Sequence, residues 1–295
     1  MADTFENHFP SEETLRRIAA ALEETASNQR TSKILSVDAT ALATAKAAWD
    51  DIIATDPAVS HRNIYRGKSL GTELTSTQKS KIADGSFEDM YIGDYWIINS
   101  RVYRIADINY YYNCGDTAFT KNHLVIVPDA SFGNGKMNST NVTTNGYTNS
   151  LMYTDTETPS VLNSARTTIA NDFGAALASH KIYIPTTTNS SGLQTSGSWV
   201  SSTVDLMNEC MVYGTYHNRI ANPGSTFNYS GITVEKSQLA LFRLNPALIR
   251  MSYWWWLRDV ASGTYFALVH RLGNADYYDA SYSLGVRPAF CIVGN

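Results

Sequence analysis

The segment that most constrains the fold lies at the C-terminus, between the aromatic cluster Trp254–Trp256 and the run Gly285–Pro288. Three adjacent tryptophans need a core in which to bury their rings, and each indole N–H needs a partner there. We therefore expect Trp254–Trp256 and Phe290 to form core and frame. Arg258 and Arg287 are predicted to be buried in the same frame and paired with carboxylates.

The stretch between these two runs has neither a periodic apolar pattern nor catalytic chemistry. It mixes amphipathic aromatics with adaptable polar groups, as antibody binding surfaces do to gain contact area and hydrogen bonds at low entropic cost. The spacing of Tyr265, Tyr277, Tyr278 and Tyr282 fits neither one strand face nor a helix stripe, so we expect these tyrosines in exposed loops. The predicted ligand-binding residues are Tyr265, Leu268, His270, Arg271, Leu272, Asn274, Asp276, Tyr277, Tyr278, Asp279, Tyr282 and Leu284.

The composition of this segment is restricted. After Arg258 the chain contains no Lys, Glu, Gln, Met or Trp, although all five types occur upstream. Those are the residue types that codons ending in a pyrimidine cannot encode. A segment rewritten by random change at the adenines of AAC-type codons would keep this restriction. A short strand-and-loop segment also tends to be poor in Lys and Glu, so the composition alone leaves both explanations open.

Two sets of short motifs match a known family. They are Trp255–Asp259, Gly273, Ala275, Ala280-Ser281, Ser283 and Gly285–Phe290 in the C-terminal segment, and Ile64–Lys68, Gly93–Trp96, Ile105–Asp107 and Met137–Asn141 upstream. With the first set the chain resembles the variable proteins of diversity-generating retroelements, in which a WWLR-type start and a GVRPAF-type end flank variable positions. With the second it is similar to the scaffold that carries such segments in phages and prophages of gut bacteria.

The resemblance covers about residues 60 to 295 and implies an α+β fold. The expected architecture is a C-type-lectin-like domain over residues 61–295 with much irregular loop structure, a fold shared with formylglycine-generating-enzyme-like domains. Short N-terminal helices over residues 1–60 would precede it. The variable region would span about residues 253–290.

The function implied by the resemblance is ligand or receptor binding. The protein would be a phage-tail or prophage-encoded binder whose C-terminal surface is diversified by adenine-directed mutagenesis, and its partner a protein or glycan receptor on a bacterial surface. The alternative is a structural virion or tail-assembly component with a fixed interface. Interspersed Asp, His, Arg and Asn favour adaptable recognition over a contiguous apolar packing patch.

Composition restricts the other classes of partner. The net charge of -4 and pI near 5.9 provide no basic stripe for nucleic acid or an acidic membrane surface. The sequence has no secretory signal pattern and no apolar stretch of membrane-spanning length. We therefore expect a protein made in the bacterial cytoplasm and without membrane insertion. Association with the virion is what the resemblance implies.

The N-terminal region from Pro10 to about Thr55 has a helical pattern. Ser11 is a predicted cap, and a second helix is predicted after Asp38. The apolar faces are formed by Leu15, Ile18, Ala19, Leu22 and Ala26, and by Leu42, Ala45, Trp49 and Ile52. Such short, Ala-rich faces fit either intramolecular packing or an oligomerising or virion-attachment segment, and a homo-oligomer is the expected assembly.

From about Asn63 onward the patterns are mixed. Thr75 and Gln78 form a capping box, and Asn99-Ser100 is the predicted turn of a hairpin. The predicted elements are a helix over 79–84, strands over 95–98, 102–105 and 123–127, a helix over 164–177, and loops over 131–165 and 186–202. Residues 204–212 fit either a helix or a strand.

The sequence does not predict an enzyme. It has no GxSxG elbow, no Walker loop, and its six histidines lie in unrelated contexts. Formylglycine-generating relatives depend on a reactive cysteine pair, whereas the C-terminal segment of this chain after Trp254 contains Cys291 alone. Cys114, Cys210 and Cys291 are predicted to be structural thiols.

Neither a cofactor nor a metal site is predicted. The calcium motifs of C-type lectins do not occur in this sequence. Asn274, Asp276 and Asp279 carry oxygen ligands, but Ca²⁺ takes about six to eight ligands that must be fixed in place. Positions that vary would not preserve such a site, so we interpret these residues as contacts for a ligand.

Overall fold

The computed structural model describes residues 43–44, 46–47, 56–143, 160–188, 194–215 and 237–294. The chain divides into two compact units, residues 1–51 and 52–295, whereas the sequence prediction placed the boundary after residue 60. The predicted N-terminal helices lie outside the described residues, except that Ala43, Thr44, Lys46 and Ala47 are helical and exposed.

Strands dominate the described part of the second unit. The strands are β1 (Ser69–Gly71), β2 (Tyr95–Ile98), β3 (Arg101–Ile108), β4 (His123–Pro128), β5 (Asn134–Gly135), β6 (Leu177–Ala178), β7 (His180–Thr188), β8 (Gln194–Ser202), β9 (Val204–Leu206), β10 (Trp255–Val260), β11 (Tyr265–Val269), β12 (Ala275–Asp279), β13 (Leu284–Gly285) and β14 (Pro288–Val293). The helices are α1 (Pro57–Arg62), α2 (Ser76–Ala83), α3 (Val161–Phe173), α4 (Glu209–Tyr213) and α5 (Ala240–Leu244), with 3-10 turns at Gly174–Ala176 and Pro246–Ile249.

The strands form two larger sheets and one hairpin. The seven-stranded sheet has the order β1-β2-β3-β4-β14-β6, and β9 also pairs with β14. The five-stranded sheet has the order β12-β11-β10-β13-β5, and β7 pairs with β8 alone. Short helices flank these sheets, so the fold class is α+β, as predicted.

Several local predictions are confirmed. Thr75 and Gln78 form the reciprocal capping box of α2. Asn99 and Ser100 have φ values of 48° and 64°, the left-handed pair that a two-residue turn between twisted strands requires, and they join β2 to β3. β4 is buried along its whole length.

The boundaries of α3 differ from the prediction by several residues. Its N-cap is Ser160, whose hydroxyl accepts the N–H of Asn163, so the helix begins at Val161 rather than at 164. It ends at Phe173 because Gly174 has a φ of 54° and leaves the helical region.

Two further segments correct or settle the prediction. The predicted loop over residues 186–202 is wrong, because residues 194–202 form β8 and pair with β7. Thr and Val favour strands once a partner strand is present, whereas the Ser and Gly content alone indicates a loop. The ambiguous segment 204–212 contains both elements in turn: β9 ends at Leu206, and Asn208 then caps α4.

The core brings the C-terminal strands together. Trp255, Trp256 and Phe290 have no exposed surface, which confirms their prediction as frame residues. Trp254 is only partly buried and packs against this core. The predicted structural thiols are buried and form no disulfide, namely Cys114, Cys210 and Cys291. Across the described ranges, no helix has the length and apolar character needed to cross a membrane.

Candidate functional site

The centre of the five-stranded sheet is β10, a strand tied down by its side chains. The Trp256 indole donates to the carbonyl of Gly135 on β5 at 2.8 Å. The Trp255 indole donates to the carbonyl of Ile249 at 3.3 Å. Both rings therefore bury their apolar area while their N–H groups stay bonded, which fixes the strand against its neighbours.

Arg258 extends this attachment to the β7 side of the unit. Its guanidinium donates to the carbonyl of Tyr183 at 3.1 Å and to that of Leu206 at 2.5 Å. The side chain is buried, as predicted. Arg258 lies on β10, and the carbonyls of Tyr183 and Leu206 belong to β7 and β9. Its side chain therefore joins these three strands.

Arg287 joins the end of the C-terminal segment to other elements in a similar way. It donates to the carbonyls of Pro128 at 2.9 Å and Leu248 at 2.8 Å, and its guanidinium lies 5.5 Å and 5.3 Å from the ring centres of Phe242 and Trp255. Complete burial lowers its pKa to about 10. The predicted carboxylate pairing is wrong for Arg287, because its hydrogen bonds within the described chain go to carbonyl oxygens.

β11 and β12 form the outer hairpin of the same sheet. They pair antiparallel from Tyr265 with Asp279 to Val269 with Ala275, and β12 is the terminal strand. The predicted loop placement of Tyr265, Tyr277 and Tyr278 is wrong, because all three lie on these two strands. Tyr277 is nevertheless exposed, and Tyr265 and Tyr278 are half-buried.

Aromatic contacts attach one face of the hairpin to the frame. The rings of Trp254 and His270 lie 5.0 Å apart, those of Trp254 and Tyr278 5.5 Å, and those of Tyr278 and Tyr282 4.8 Å. Tyr282 follows β12 in a turn closed by its N–H to the carbonyl of Asp279. The aromatic series thus runs from the buried frame to an exposed ring.

The turn between β11 and β12 presents an apolar tip. His270 and Asn274 close the turn through a backbone bond of 2.9 Å, and Gly273, with a φ of 93°, provides the left-handed residue. The N–H of Leu272 donates to His270 Nδ1 at 3.2 Å. Leu272 is 71% exposed, the largest value among the exposed large hydrophobic residues described. An apolar side chain is therefore displayed on a turn that is already ordered.

Two of the predicted ligand-binding residues lie in the core instead. Leu268 has no exposed surface because it faces Trp256 on a strand covered from both sides, and Leu284 is 7% exposed on β13. Neither reaches the surface. The other ten are half-buried or exposed and share the hairpin and its two ends: Tyr265, His270, Arg271, Leu272, Asn274, Asp276, Tyr277, Tyr278, Asp279 and Tyr282.

The sequence prediction did not identify the segment that braces this hairpin. We call residues 137–143 the brace. The N–H groups of Met137 and Asn138 donate to the carbonyl of Ala280 at 3.0 and 2.9 Å. The Asn141 side chain accepts the N–H of Ala280 at 3.1 Å and donates to Asp279 Oδ1 at 2.6 Å.

The other end of the brace fixes the turn between β10 and β11. Thr143 donates its N–H to the carbonyl of Gly263 at 2.9 Å and its hydroxyl to the carbonyl of Ser262 at 3.1 Å. All but one of the brace bonds reach main-chain groups of the C-terminal segment. Such bonds persist when the side chains of that segment change. The motif Met137–Asn141 marked this part of the scaffold, but nothing local in it indicated contact with a residue 138 positions away.

The acidic residues of the surface are engaged within the protein. Asp276 Oδ1 accepts the N–H of Tyr277 at 2.9 Å, and Asp279 is bonded to Asn141. In the described part of the chain, no group of three or more His, Cys, Asp or Glu is arranged to hold a metal ion.

A buried frame that carries an accessible terminal hairpin defines the C-terminal part of this α+β protein. The chain belongs to the family described as a domain of unknown function, DUF6273, whose model matches residues 121–294. That range includes β4 to β14, and so both the frame and the hairpin. No curated protein and no solved structure matched the chain.

Proposed function

We propose that this protein is a non-catalytic ligand-binding protein whose C-terminal surface is diversified by a retroelement. One observation carries the proposal: the C-terminal segment forms a buried frame around Trp254–Arg258 and, in its composition-restricted part after Arg258, an accessible hairpin surface, and the two are joined by strand pairing and aromatic contacts. The exposed members are Arg271, Leu272, Asn274, Tyr277 and Tyr282.

This arrangement supports diversification because the fold does not depend on the displayed side chains. The brace bonds reach the carbonyl and N–H of Ala280 and the carbonyls of Ser262 and Gly263. Substitution of Leu272 or Tyr282 removes no described side-chain hydrogen bond that holds the hairpin. A recognition surface on a preorganised support loses little conformational entropy on binding.

The proposed architecture of the second unit is a C-type-lectin-like domain with variable region 253–290. Two sheets flanked by short helices, and a frame closed by a GVRPAF-type strand, support this assignment. The proposed partner is a protein or glycan receptor on a bacterial surface. The proposed setting is a phage tail or prophage product, made in the bacterial cytoplasm and oligomerised through residues 1–60, so that weak individual contacts combine into avidity.

The test compares two libraries of the full chain. One randomises Arg271, Leu272, Asn274, Tyr277 and Tyr282. The matched control randomises the same number of buried positions in the same hairpin and frame, namely Phe266, Ala267, Leu268, Val269 and Leu284.

We expect most surface variants to fold and selected clones to bind new bacterial targets, while most core variants are insoluble. Equal loss of folding in both libraries would contradict the proposal. Folded surface variants that never yield binders, with a wild-type surface that assembles with a virion protein, would favour the structural-component alternative.

The retroelement part has a separate test at the gene. Close copies of the locus in a growing population should differ in the codons of residues 264–284 only at adenines of a neighbouring template repeat, next to a reverse transcriptase. An invariant segment without a template would leave a fixed binder and remove the diversification.

A further inference from the structure

We propose that the outer edge of β12 binds an extended polypeptide segment of the ligand through main-chain hydrogen bonds. This inference rests on the proposed function, because it names the class of ligand for the same surface. It follows from the backbone groups of the edge strand.

The hairpin ladder determines which groups point outward. The N–H of Ala280 donates to the carbonyl of Thr264 at 3.0 Å, and that of His270 to the carbonyl of Asn274 at 2.9 Å. Hydrogen-bonded pairs alternate along an antiparallel ladder, so the even-numbered residues of β12 bond to β11. The N–H and carbonyl groups of Ala275, Tyr277 and Asp279 therefore face away from the sheet.

The protein covers part of this edge with its own groups. Asp276 Oδ1 accepts the N–H of Tyr277 at 2.9 Å, and Asn274 Nδ2 donates to the carbonyl of Ala275 at 3.4 Å. The carbonyl of Asp279 accepts the N–H of Tyr282 at 2.9 Å. Self-capping of this kind is how proteins protect a terminal strand from indiscriminate pairing.

One acceptor and one donor remain next to each other. Within the described residues, the carbonyl of Tyr277 and the N–H of Asp279 have no hydrogen-bond partner, and the N–H of Ala275 is also open at the turn end. We call the Tyr277 carbonyl and the Asp279 N–H the edge pair. Tyr277, whose carbonyl belongs to the pair, is 47% exposed. Tyr282, which follows Asp279 in sequence, is 51% exposed.

The spacing of the edge pair selects the ligand. In a parallel ladder, one residue donates its N–H to a carbonyl and accepts with its own carbonyl from the N–H two residues further along. The edge pair has this spacing. An antiparallel partner reaches the same pair through two of its residues, the N–H of one and the carbonyl of the other, so the pair accepts an extended chain in either direction.

The same geometry disfavours an acetamido sugar. A trans amide points its N–H and carbonyl in opposite directions, so a single amide reaches only one member of the edge pair. A peptide residue has its N–H and carbonyl in two successive amides, which point to the same side in an extended chain. Strand addition of this sort gives affinity through the main chain and specificity through the flanking side chains.

The first experiment uses a displayed library of short random linear peptides, selected on the immobilised full chain. Each amide of a selected peptide is then N-methylated in turn. We expect one methylation to weaken binding at least about fivefold, the loss of one hydrogen bond, while its two neighbours, which point away, change it less. Equal effects along the whole peptide would overturn the inference.

The second experiment removes the donor from the protein. Asp279→Pro deletes the outward N–H without breaking a ladder bond, since proline is tolerated on the outer edge of a terminal strand. Asp279→Ala is the matched control, because it loses the same carboxylate but keeps the N–H. We expect the proline variant to bind the peptide at least about threefold more weakly than the alanine variant.

Thermal unfolding of both variants checks that each is folded, and if the proline variant is not, the methylation scan alone decides. Selection of no peptide, together with binding to a glycan panel or to whole bacteria, would overturn strand addition and leave the proposed function intact. Binding to none of these three probes would contradict the proposed function itself.

Discussion

β10 and β12 lie two strands apart in one sheet, yet they are built in opposite ways. Every residue of β10 is buried, and its tryptophans and Arg258 are bonded through their side chains to carbonyls of other elements. No residue of β12 is buried, and its brace bonds centre on the backbone of Ala280, just beyond the strand. β10 is thus held by hydrogen bonds of its side chains, whereas β12 is held mainly by hydrogen bonds of the main chain.

The difference separates positions where substitution destabilises the fold from positions where substitution changes the surface. Substitution in β10 removes buried area and leaves carbonyl groups without donors, which destabilises the fold. Substitution in the turn, or in β12 at positions other than Asp279, changes the surface while the ladder and the brace remain. The comparison therefore predicts stability losses that decrease from the frame to the turn.

The largest loss is expected for Trp256→Ala. The substitution deletes a fully buried ring and leaves the Gly135 carbonyl without its indole donor. We expect the free energy of unfolding to fall by about 3–5 kcal/mol. Urea unfolding followed by tryptophan fluorescence measures it, and Tyr282→Ala is the control, with a change within about 0.5 kcal/mol. Similar losses for the two variants would abolish the distinction between frame and surface.

A second, smaller effect is expected from acid. His123 and His180 are buried, and burial lowers their pKa values to about 4 and about 3. A histidine with a depressed folded pKa gives stability above its unfolded pKa of about 6.5, and that stability is lost as the pH falls toward the folded value. Two such groups imply a loss of about 2–3 kcal/mol between about pH 7.5 and about pH 5.5.

Urea midpoints over this pH range measure that loss, and His180→Leu isolates one of the two groups. The variant should show roughly half of the wild-type pH dependence, whatever its absolute stability. An unchanged slope would mean that His180 is not the buried neutral group that its contacts with Tyr111 and Phe119 indicate.

Local patterns in the sequence predicted several elements of the fold. The capping box at Thr75, the Asn99-Ser100 turn and the buried tryptophans each depend on residues that are close in sequence or on the size of the side chain. β8 was missed because its Ser and Gly content resembles a loop until β7 supplies a ladder. The carbonyl partners of Arg287 were missed for a related reason, since Leu248 and Pro128 offer only backbone groups that every residue has.

The candidate surface was predicted as a set of residues more accurately than as a structure. Composition indicated the segment, but the assignment of Leu268 and Leu284 to the surface failed because it depends on which strand lies in the middle of the sheet. The brace was not predictable from local pattern, because Asn141 and Asp279 are 138 positions apart in sequence and meet only in the folded chain.

The brace gives an intermediate prediction. Asn141→Ala removes one of the two acceptors of the Ala280 N–H, leaving the Thr264 carbonyl, and the donor to Asp279. We expect a loss of about 1–2 kcal/mol in unfolding free energy and faster amide exchange at Ala280. In the background of Asp279→Ala, the Asn141 substitution should cost less by about 0.5–1 kcal/mol, which a double-mutant cycle measures. Asn274→Ala, in the exposed turn, is the control and should leave exchange at Ala280 unchanged.

The smallest effect on stability, and the sharpest test of the comparison, is expected at the turn. Leu272→Ala removes an apolar side chain that is already 71% exposed, so little burial is lost. Its N–H still donates to His270 Nδ1, and Gly273 still closes the turn. We expect the unfolding free energy to change by less than about 0.5 kcal/mol.

Binding to the proposed bacterial target should nevertheless weaken by about tenfold or more, because an exposed leucine on an ordered turn can bury its side chain in a partner at low entropic cost. A stability loss comparable to that of Trp256→Ala would show that the turn belongs to the frame, whereas unchanged binding would exclude Leu272 from the recognition surface.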